Sequence, residues 1–118
     1  MNSLGESFKN AFKGLLNLIT SEPNAKIHAA ATITVIVLGI YYELNIIEWA
    51  FITYSIIMVW SAEALNTAIE RLSDVVSPEL NPGIKEVKDL ASGAVLIVAI
   101  GAVIIGILVF GPYFIASF

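Results

Sequence analysis

The run Glu63-Ala-Leu-Asn66-Thr-Ala-Ile-Glu70 continues, with no turn signal between, from an apolar stretch that begins near Ile46 and is long enough to cross a bilayer. Spacings of three and seven place Glu63, Asn66 and Glu70 on one side of a 3.6-residue helix, and Asp74 extends the stripe. A charge near the centre of a membrane helix costs roughly 2.5–3.5 kcal/mol on insertion scales. A stacked row of carboxylates must therefore be paired inside the protein or held where a cation neutralises it. That constraint governs what this chain can fold into.

The remaining composition agrees. Of the 118 residues, 58% are hydrophobic and 14% charged. Soluble domains carry about 45–50% apolar and about 25% charged residues, so this sequence reads as an all-α integral membrane protein of one domain, residues 1–118. It has no cysteine, which excludes disulfides, thiolate nucleophiles and thiolate metal ligands. No cleaved signal peptide is expected, and no basic patch suits nucleic acid.

An amphipathic helix is expected over residues 3–21. Leu4, Phe8, Ala11, Phe12, Leu15, Leu16 and Ile19 recur with helical spacing, while Glu6, Lys9, Asn10, Lys13 and Asn17 face away. Ser3-x-x-Glu6 reads as a capping box. An apolar face backed by lysines suits a helix lying at the membrane surface; the alternative is a helix packed on a cytosolic partner. Ser21-Glu22-Pro23-Asn24 turns the chain. Membrane helices are expected over 25–42, 46–76 and 84–115, joined by Glu43-Leu44-Asn45 and by the Ser77–Gly83 loop with its two prolines. From Leu90 to Phe118 there is no charge.

All six basic residues then fall on one side: Lys9, Lys13, Lys26, Arg71, Lys85 and Lys88. The opposite connection holds Glu43 and Glu48. The positive-inside rule puts the N-terminus and the second loop in the cytoplasm. Glu22, Glu70, Asp74, Lys88 and Asp89 come to the inner face, with Glu63 about 10 Å deeper than Glu70.

Hard oxygen ligands at a lipid–water boundary suit Mg²⁺, which is held by one or two carboxylates together with substrate phosphates. A lysine for phosphate charge and a deeper carboxylate to accept a proton point to phosphoryl transfer onto a membrane alcohol, a reaction that needs positioning and charge neutralisation more than covalent catalysis. No GxxxxGK[ST], GxGxxG or kinase catalytic-loop pattern accompanies them, so any nucleotide binds outside the familiar soluble folds.

The same residues carry a resemblance. Glu63-Ala-Leu-Asn66-Thr-Ala-Ile-Glu70-x-x-x-Asp74, the Ser-Pro-Glu loop, and Lys88-Asp89-x-x-x-Gly93-Ala-Val-Leu resemble the signature of the small bacterial diacylglycerol kinase/undecaprenol kinase family. Glu22-x-Asn24-x-Lys26-Ile-His28 and Ala11-Phe-Lys-Gly-Leu fit it as well. The resemblance covers nearly the whole chain. It implies a homotrimer of three-span subunits in the bacterial inner membrane, each with a surface helix, and active sites shared between neighbours. It implies MgATP as the donor. Glu63 matches the general base, with Asn66 beside it. Glu22 and Glu70 match the carboxylates for the nucleotide's Mg²⁺. Asn10, Glu22, Glu70, Glu79, Leu80, Asn81, Lys88 and Asp89 match nucleotide-contacting positions, and Ala11, Phe12, Lys13, Glu63 and Ser92 match positions around the lipid. Leu80-Asn81 stands where some members carry Tyr-His, Ser3 where others carry arginine, and Lys26 replaces an arginine, giving up bidentate pairing.

Blander roles compete. Glu63 could be a buried carboxyl bonded to a neighbour; Glu70 and Asp74 could pair with Arg71 or Lys85; Lys88 could only snorkel. His28, the only histidine, reads as a satisfied interfacial side chain. Trp49, Tyr41 and Tyr42 suit an outer aromatic belt, and Gly101 and Gly106 a helix-packing surface. At the level of function, the alternatives to a lipid kinase are a small proton-coupled multidrug-type transporter subunit and a non-catalytic assembly subunit. Three spans are too few to enclose nucleotide and lipid together, so oligomerisation is expected.

Overall fold

Four helices make up nearly all of residues 3–118, the part of the chain that the computed structural model describes: α1 (Leu4–Ser21), α2 (Pro23–Tyr41), α3 (Ile46–Val76) and α4 (Pro82–Ala116). Among the described residues there is no strand. Helices α2, α3 and α4 are long and apolar enough to cross a membrane. At 1.5 Å per residue, α3 and α4 reach about 46 and 52 Å, well beyond a hydrocarbon core of about 30 Å. Their surplus length carries the polar stripe and the lysines out of the apolar zone.

The boundaries follow from local chemistry. Ser3 caps α1 by accepting from the Glu6 amide. The break between α1 and α2 is a single extended residue, Glu22 at φ −100°, ψ 123°. Proline disfavours helical geometry in the residue before it and is tolerated at a helix start, so Pro23 ends one helix and begins the next. The first span therefore starts two residues before the expected Ala25 and ends at Tyr41. The third also starts two residues early: Asn81 Oδ1 accepts from the Gly83 and Ile84 amides, drawing Pro82 and Gly83 out of the expected loop into α4, which ends at Ala116. The middle helix matches its expected bounds, and Asn45 and Glu48 form a reciprocal capping box at its start.

Helix α2 ends in a Schellman motif: the Leu44 amide donates to Gly39 O and the Glu43 amide to Ile40 O. Glu43 takes the left-handed position at φ 54°, where glycine is usual. Leu44, turned inward by that cap, is buried with Ile52 and Val109. Trp49, Tyr42, Phe110 and Tyr113 pack around these three, and Tyr113 donates to Glu48 Oε1 at 2.5 Å. Trp49 lies directly on Gly39, where a Cβ would come within 2.5 Å of the indole. Of the residues expected in an aromatic belt, Trp49 and Tyr42 instead join a packed cluster that ties one end of α2, α3 and α4 together, while Tyr41 is exposed.

Elsewhere the subunit is inside-out relative to a soluble domain. Its buried polar residues, Ser55, Glu63, Asn66, Thr67 and Ser73, all lie on α3, while large apolar residues such as Leu96, Ile97 and Leu108 are exposed. Lipid is as apolar as leucine, so helix association in a membrane rests on contact packing and polar bonds rather than on removal from water. The exposed apolar faces of α2 and α4 are of the kind that acyl chains cover at no cost. Helix α1 is exposed apart from Leu18, with Leu4, Phe8 and Phe12 on an uncovered apolar face.

An L-residue in the left-handed region costs about 1–2 kcal/mol, part of which glycine returns as unfolded-state entropy. Glu43→Gly is expected to stabilise the protein by about 0.5–1 kcal/mol, read as a higher thermal midpoint in detergent micelles. A lower midpoint would mean that the Glu43 side chain contributes more than its backbone costs.

Candidate functional site

The inward stripe of α3 continues from Ile52 and Ser55 to Glu63, Asn66, Thr67 and Ser73, and the element packed against each residue decides its environment. Glu63 is only 2% exposed. Its Oε2 lies 3.2 Å from Nε2 of His28 on α2, a pairing between residues 35 apart in the chain. The His28 ring meets the Trp60 indole edge-on, with centroids 6.2 Å apart. Trp60 Nε1 donates to Thr32 Oγ1 at 3.0 Å, and Thr32 donates back to the His28 carbonyl at 2.7 Å. Two side chains one turn apart on α3 therefore grip two side chains one turn apart on α2. Beyond His28, away from the polar stripe, a cavity of about 190 Å³ runs between α2, α3 and α4, walled largely by apolar side chains including Val35, Ile56, Val59, Ala102 and Val103.

One turn outward, Asn66 Nδ2 donates to Glu70 Oε1 at 3.2 Å, so its amide group is directed at Glu70 rather than at Glu63. Asn66 Oδ1 and Thr67 Oγ1 are buried with no hydrogen-bond partner. Ser55 Oγ, lower on α3, is likewise without a partner among the described residues, and such buried groups are costly to leave unsatisfied.

Arg71 organises the next layer. Its guanidinium donates to Asn17 Oδ1 at 2.6 Å, Ser21 Oγ at 2.9 Å and Glu22 Oε1 at 3.2 Å. A forked cation fits this work because one group reaches several oxygens at fixed angles. The result seats the α1–α2 hinge, and with it Glu22, against α3 at Arg71. Arg71 thus pairs with neither Glu70 nor Asp74. Asp74 is taken by Lys88 of α4 at 2.5 Å, and Lys85 pairs with Asp89 at 2.7 Å. These outer pairs are substantially exposed, so each contributes little to stability and is open to exchange with an anionic ligand.

Between α1 and α3, above Glu63, lies an open groove of about 540 Å³ lined by Ala11, Gly14, Leu15 and Leu18 on one side and Ala64, Thr67, Ala68 and Arg71 on the other. Small residues keep it wide. Ala11 lines it; Asn10, Phe12 and Lys13 are exposed on α1, and Ser92 is exposed on α4. Glu79 and Leu80 are exposed in the α3–α4 connection, Leu80 completely, and the Asn81 side chain is occupied as the α4 cap. Glu63, Asn66 and Glu70 thus share one face of α3, Glu22 is joined to that helix through Arg71 and Lys88 through Asp74, while Asn10, Glu79, Leu80 and Ser92 are exposed away from these contacts. Among the described residues, no three metal-ligating side chains meet.

Comparison with known proteins places this arrangement. Residues 9–110 match the model of the family described as prokaryotic diacylglycerol kinase. The chain belongs to the prokaryotic diacylglycerol kinase family. It is 40% identical over 112 residues to the undecaprenol kinase of Bacillus subtilis, covering 95% of this chain and 91% of that one. It is 35% identical over 101 residues to the diacylglycerol kinase of a Synechocystis species, covering 85% of this chain and 58% of that longer one. With three apolar helices and this family membership, the chain is a multi-pass membrane protein and a lipid kinase. Nothing in the match favours a transporter.

Two residues in this arrangement escaped sequence reasoning. His28 reads in sequence as a satisfied interfacial residue; satisfied it is, but by Glu63. Arg71 reads as a topology signal, and its real partners lie 49 to 54 residues away. The available signal was stoichiometric: one histidine and one arginine, each on the polar side of an otherwise apolar helix.

Arg71→Ala is expected to cost less than about 1 kcal/mol of global stability, because the cluster is largely exposed. It should nonetheless release the hinge, so that amide exchange across α1 and at Glu22 rises severalfold by mass spectrometry. Arg71→Lys, lacking the fork, should fall between. Unchanged exchange in both would mean that α1 is held by other contacts.

Proposed function

We propose that this chain is a MgATP-dependent kinase that phosphorylates the hydroxyl of a membrane lipid alcohol, undecaprenol or diacylglycerol, at the cytoplasmic face of the bacterial inner membrane, working as a homotrimer with α1 on the membrane surface. One observation carries the reading: a buried carboxylate, Glu63, ends a polar stripe that runs outward through Asn66 and Glu70 to the Asp74–Lys88 pair. Such a gradient suits a lipid hydroxyl at its deep end and a polyphosphate at its wet end.

The residues fit a metal that arrives with the nucleotide. Glu22 and Glu70 each have one oxygen engaged, by Arg71 and Asn66 respectively, and a second oxygen with no protein partner among the described residues. Two carboxylates are what Mg²⁺ takes from a protein when phosphates and water complete its shell. When bound, the metal would neutralise phosphate charge. Lys88 exchanges Asp74 for a phosphate oxygen, and Asn66 holds Glu70 in place. Glu63 takes the proton of the lipid hydroxyl as its oxygen attacks the γ-phosphorus and ADP departs. The groove between α1 and α3 admits the lipid headgroup sideways from the bilayer.

Placement at the inner face rests on the lysines and arginine, all on the nucleotide side. The trimer is supported by the uncovered apolar faces and by a site that lies open along one edge of the subunit. Between the two lipids, the long match to an undecaprenol kinase supports the isoprenol.

Removal of a general base lowers turnover by about 10²–10⁴-fold. Glu63→Gln is expected to lose phosphoryl transfer to that extent while still binding nucleotide, and Glu70→Ala is expected to weaken Mg²⁺-dependent nucleotide binding instead. Radiolabel transfer from ATP to each lipid in micelles, alongside nucleotide titration, reads both. Wild-type transfer by the two variants would remove these roles, and absence of transfer to any lipid alcohol would remove the function.

A further inference from the structure

Phosphoryl transfer as proposed uses one carboxylate oxygen of Glu63 and leaves the other facing His28. Glu63 must be ionised to accept a proton, and an ionised carboxylate only accepts hydrogen bonds. The ring nitrogen 3.2 Å from Oε2 must therefore carry hydrogen, which fixes Nε2–H as the donor and Oε2 as its acceptor. Among the described residues the Glu63 carboxylate is hydrogen-bonded through Oε2, and Oε1 takes no protein donor. We propose that His28 is the positioning residue for Glu63: its Nε2–H occupies Oε2, turns the carboxylate, and leaves Oε1 as the atom that meets the lipid hydroxyl. The inference rests on Glu63 being the base.

Three features of the surroundings make His28 the donor that water cannot replace. The Glu63 side chain is 3% exposed, and the cavity beyond His28 is walled mostly by apolar side chains: of its other polar groups, Thr32 is already engaged by Trp60 and the His28 carbonyl, and Ser55 lies about 12 Å along α3 from Glu63. The imidazole is itself held, edge-on against Trp60, while Trp60 and Thr32 pin the backbone at His28. A second support is chemical: an ionised carboxylate with no donor is disfavoured in a poorly hydrated site, and a hydrogen bond to the charged form restores it. In the transfer step, the lipid O–H bond breaks and its proton passes to Glu63 Oε1. The lipid oxygen bonds to the γ-phosphorus, and the bond from that phosphorus to the bridging oxygen breaks, so that ADP leaves with the electron pair. The Nε2–H bond of His28 stays intact throughout, and His28 touches no substrate.

The test is steady-state kinase assay of the purified full chain in micelles, with ATP and the lipid alcohol both varied, for His28→Ala, His28→Gln, His28→Asn, Glu63→Gln and the His28→Ala/Glu63→Gln double variant. His28→Ala should lower kcat about tenfold to a hundredfold, part of what a general base supplies, with both KM values within about twofold. A glutamine amide can place its nitrogen where Nε2 sits, and an asparagine amide only where Nδ1 sits. His28→Gln should therefore recover most of the loss and His28→Asn little of it. The double variant should be no slower than Glu63→Gln alone, because both changes remove the same interaction. Equal losses in the glutamine and asparagine variants, wild-type kcat in His28→Ala, or losses that multiply in the double variant would each overturn the proposal. Should His28→Ala fail to assemble, the glutamine–asparagine comparison decides by itself. An active Glu63→Gln would remove the base assignment and this inference with it; an inactive Glu63→Gln with an indifferent His28 removes this inference alone.

Discussion

A carboxylate on an apolar membrane helix has to be given a partner, and the contact between Glu63 and His28 supplies it. Without it α3 would carry an uncompensated acid at the depth where its flanking residues are Val59, Trp60 and Leu65. With it, α2 must lie on the face of α3 that holds Glu63, and Trp60–Thr32 fixes the register of the two helices. The buried polar residues of the subunit are then confined to one element. The inside of this subunit is polar for the same reason that its outside is apolar: each surface meets the environment that costs it least.

The two ends of the helix bundle are held by different chemistry. At one end, Tyr42, Trp49, Phe110 and Tyr113 pack around Leu44, Ile52 and Val109, with a glycine at the closest approach of α2 to the indole. At the other, long charged side chains bridge at the surface: Arg71 to the hinge and Lys88 to Asp74. Tight apolar packing resists displacement, whereas exposed ion pairs exchange partners at little cost. The stripe of carboxylates emerges at the second kind of end, where a charged ligand could enter and leave most easily.

Much of this was legible in the order of residues. The stripe Glu63, Asn66, Glu70 is a local property, since helical periodicity puts residues three and seven apart on one face wherever the helix goes. The start and end of α3, the capping serine of α1 and the segregation of six basic residues are likewise short-range or compositional. The boundaries that moved did so for local reasons as well: Pro23 and Pro82 sit in the first turns of helices rather than in loops, because a proline there loses no hydrogen bond. Read only as turn signals, both prolines fall outside the helices they begin.

Long-range pairing was not legible. The three partners of Arg71 and the partner of His28 lie 35 to 54 residues away, and nothing in a helical period says which helix comes alongside or at what height. Asn66 likewise had two acids in reach on its own helix, Glu63 three residues before and Glu70 four after, and its amide donates to Glu70. The sequence by itself determined that this is a chain of membrane helices with an acidic flank on the middle one, because hydrophobicity and helical pitch act within a segment. Only the tertiary structure decided that the deepest acid is met by an imidazole and that the hinge is clamped by a guanidinium, because those contacts depend on how separate helices are offset against each other.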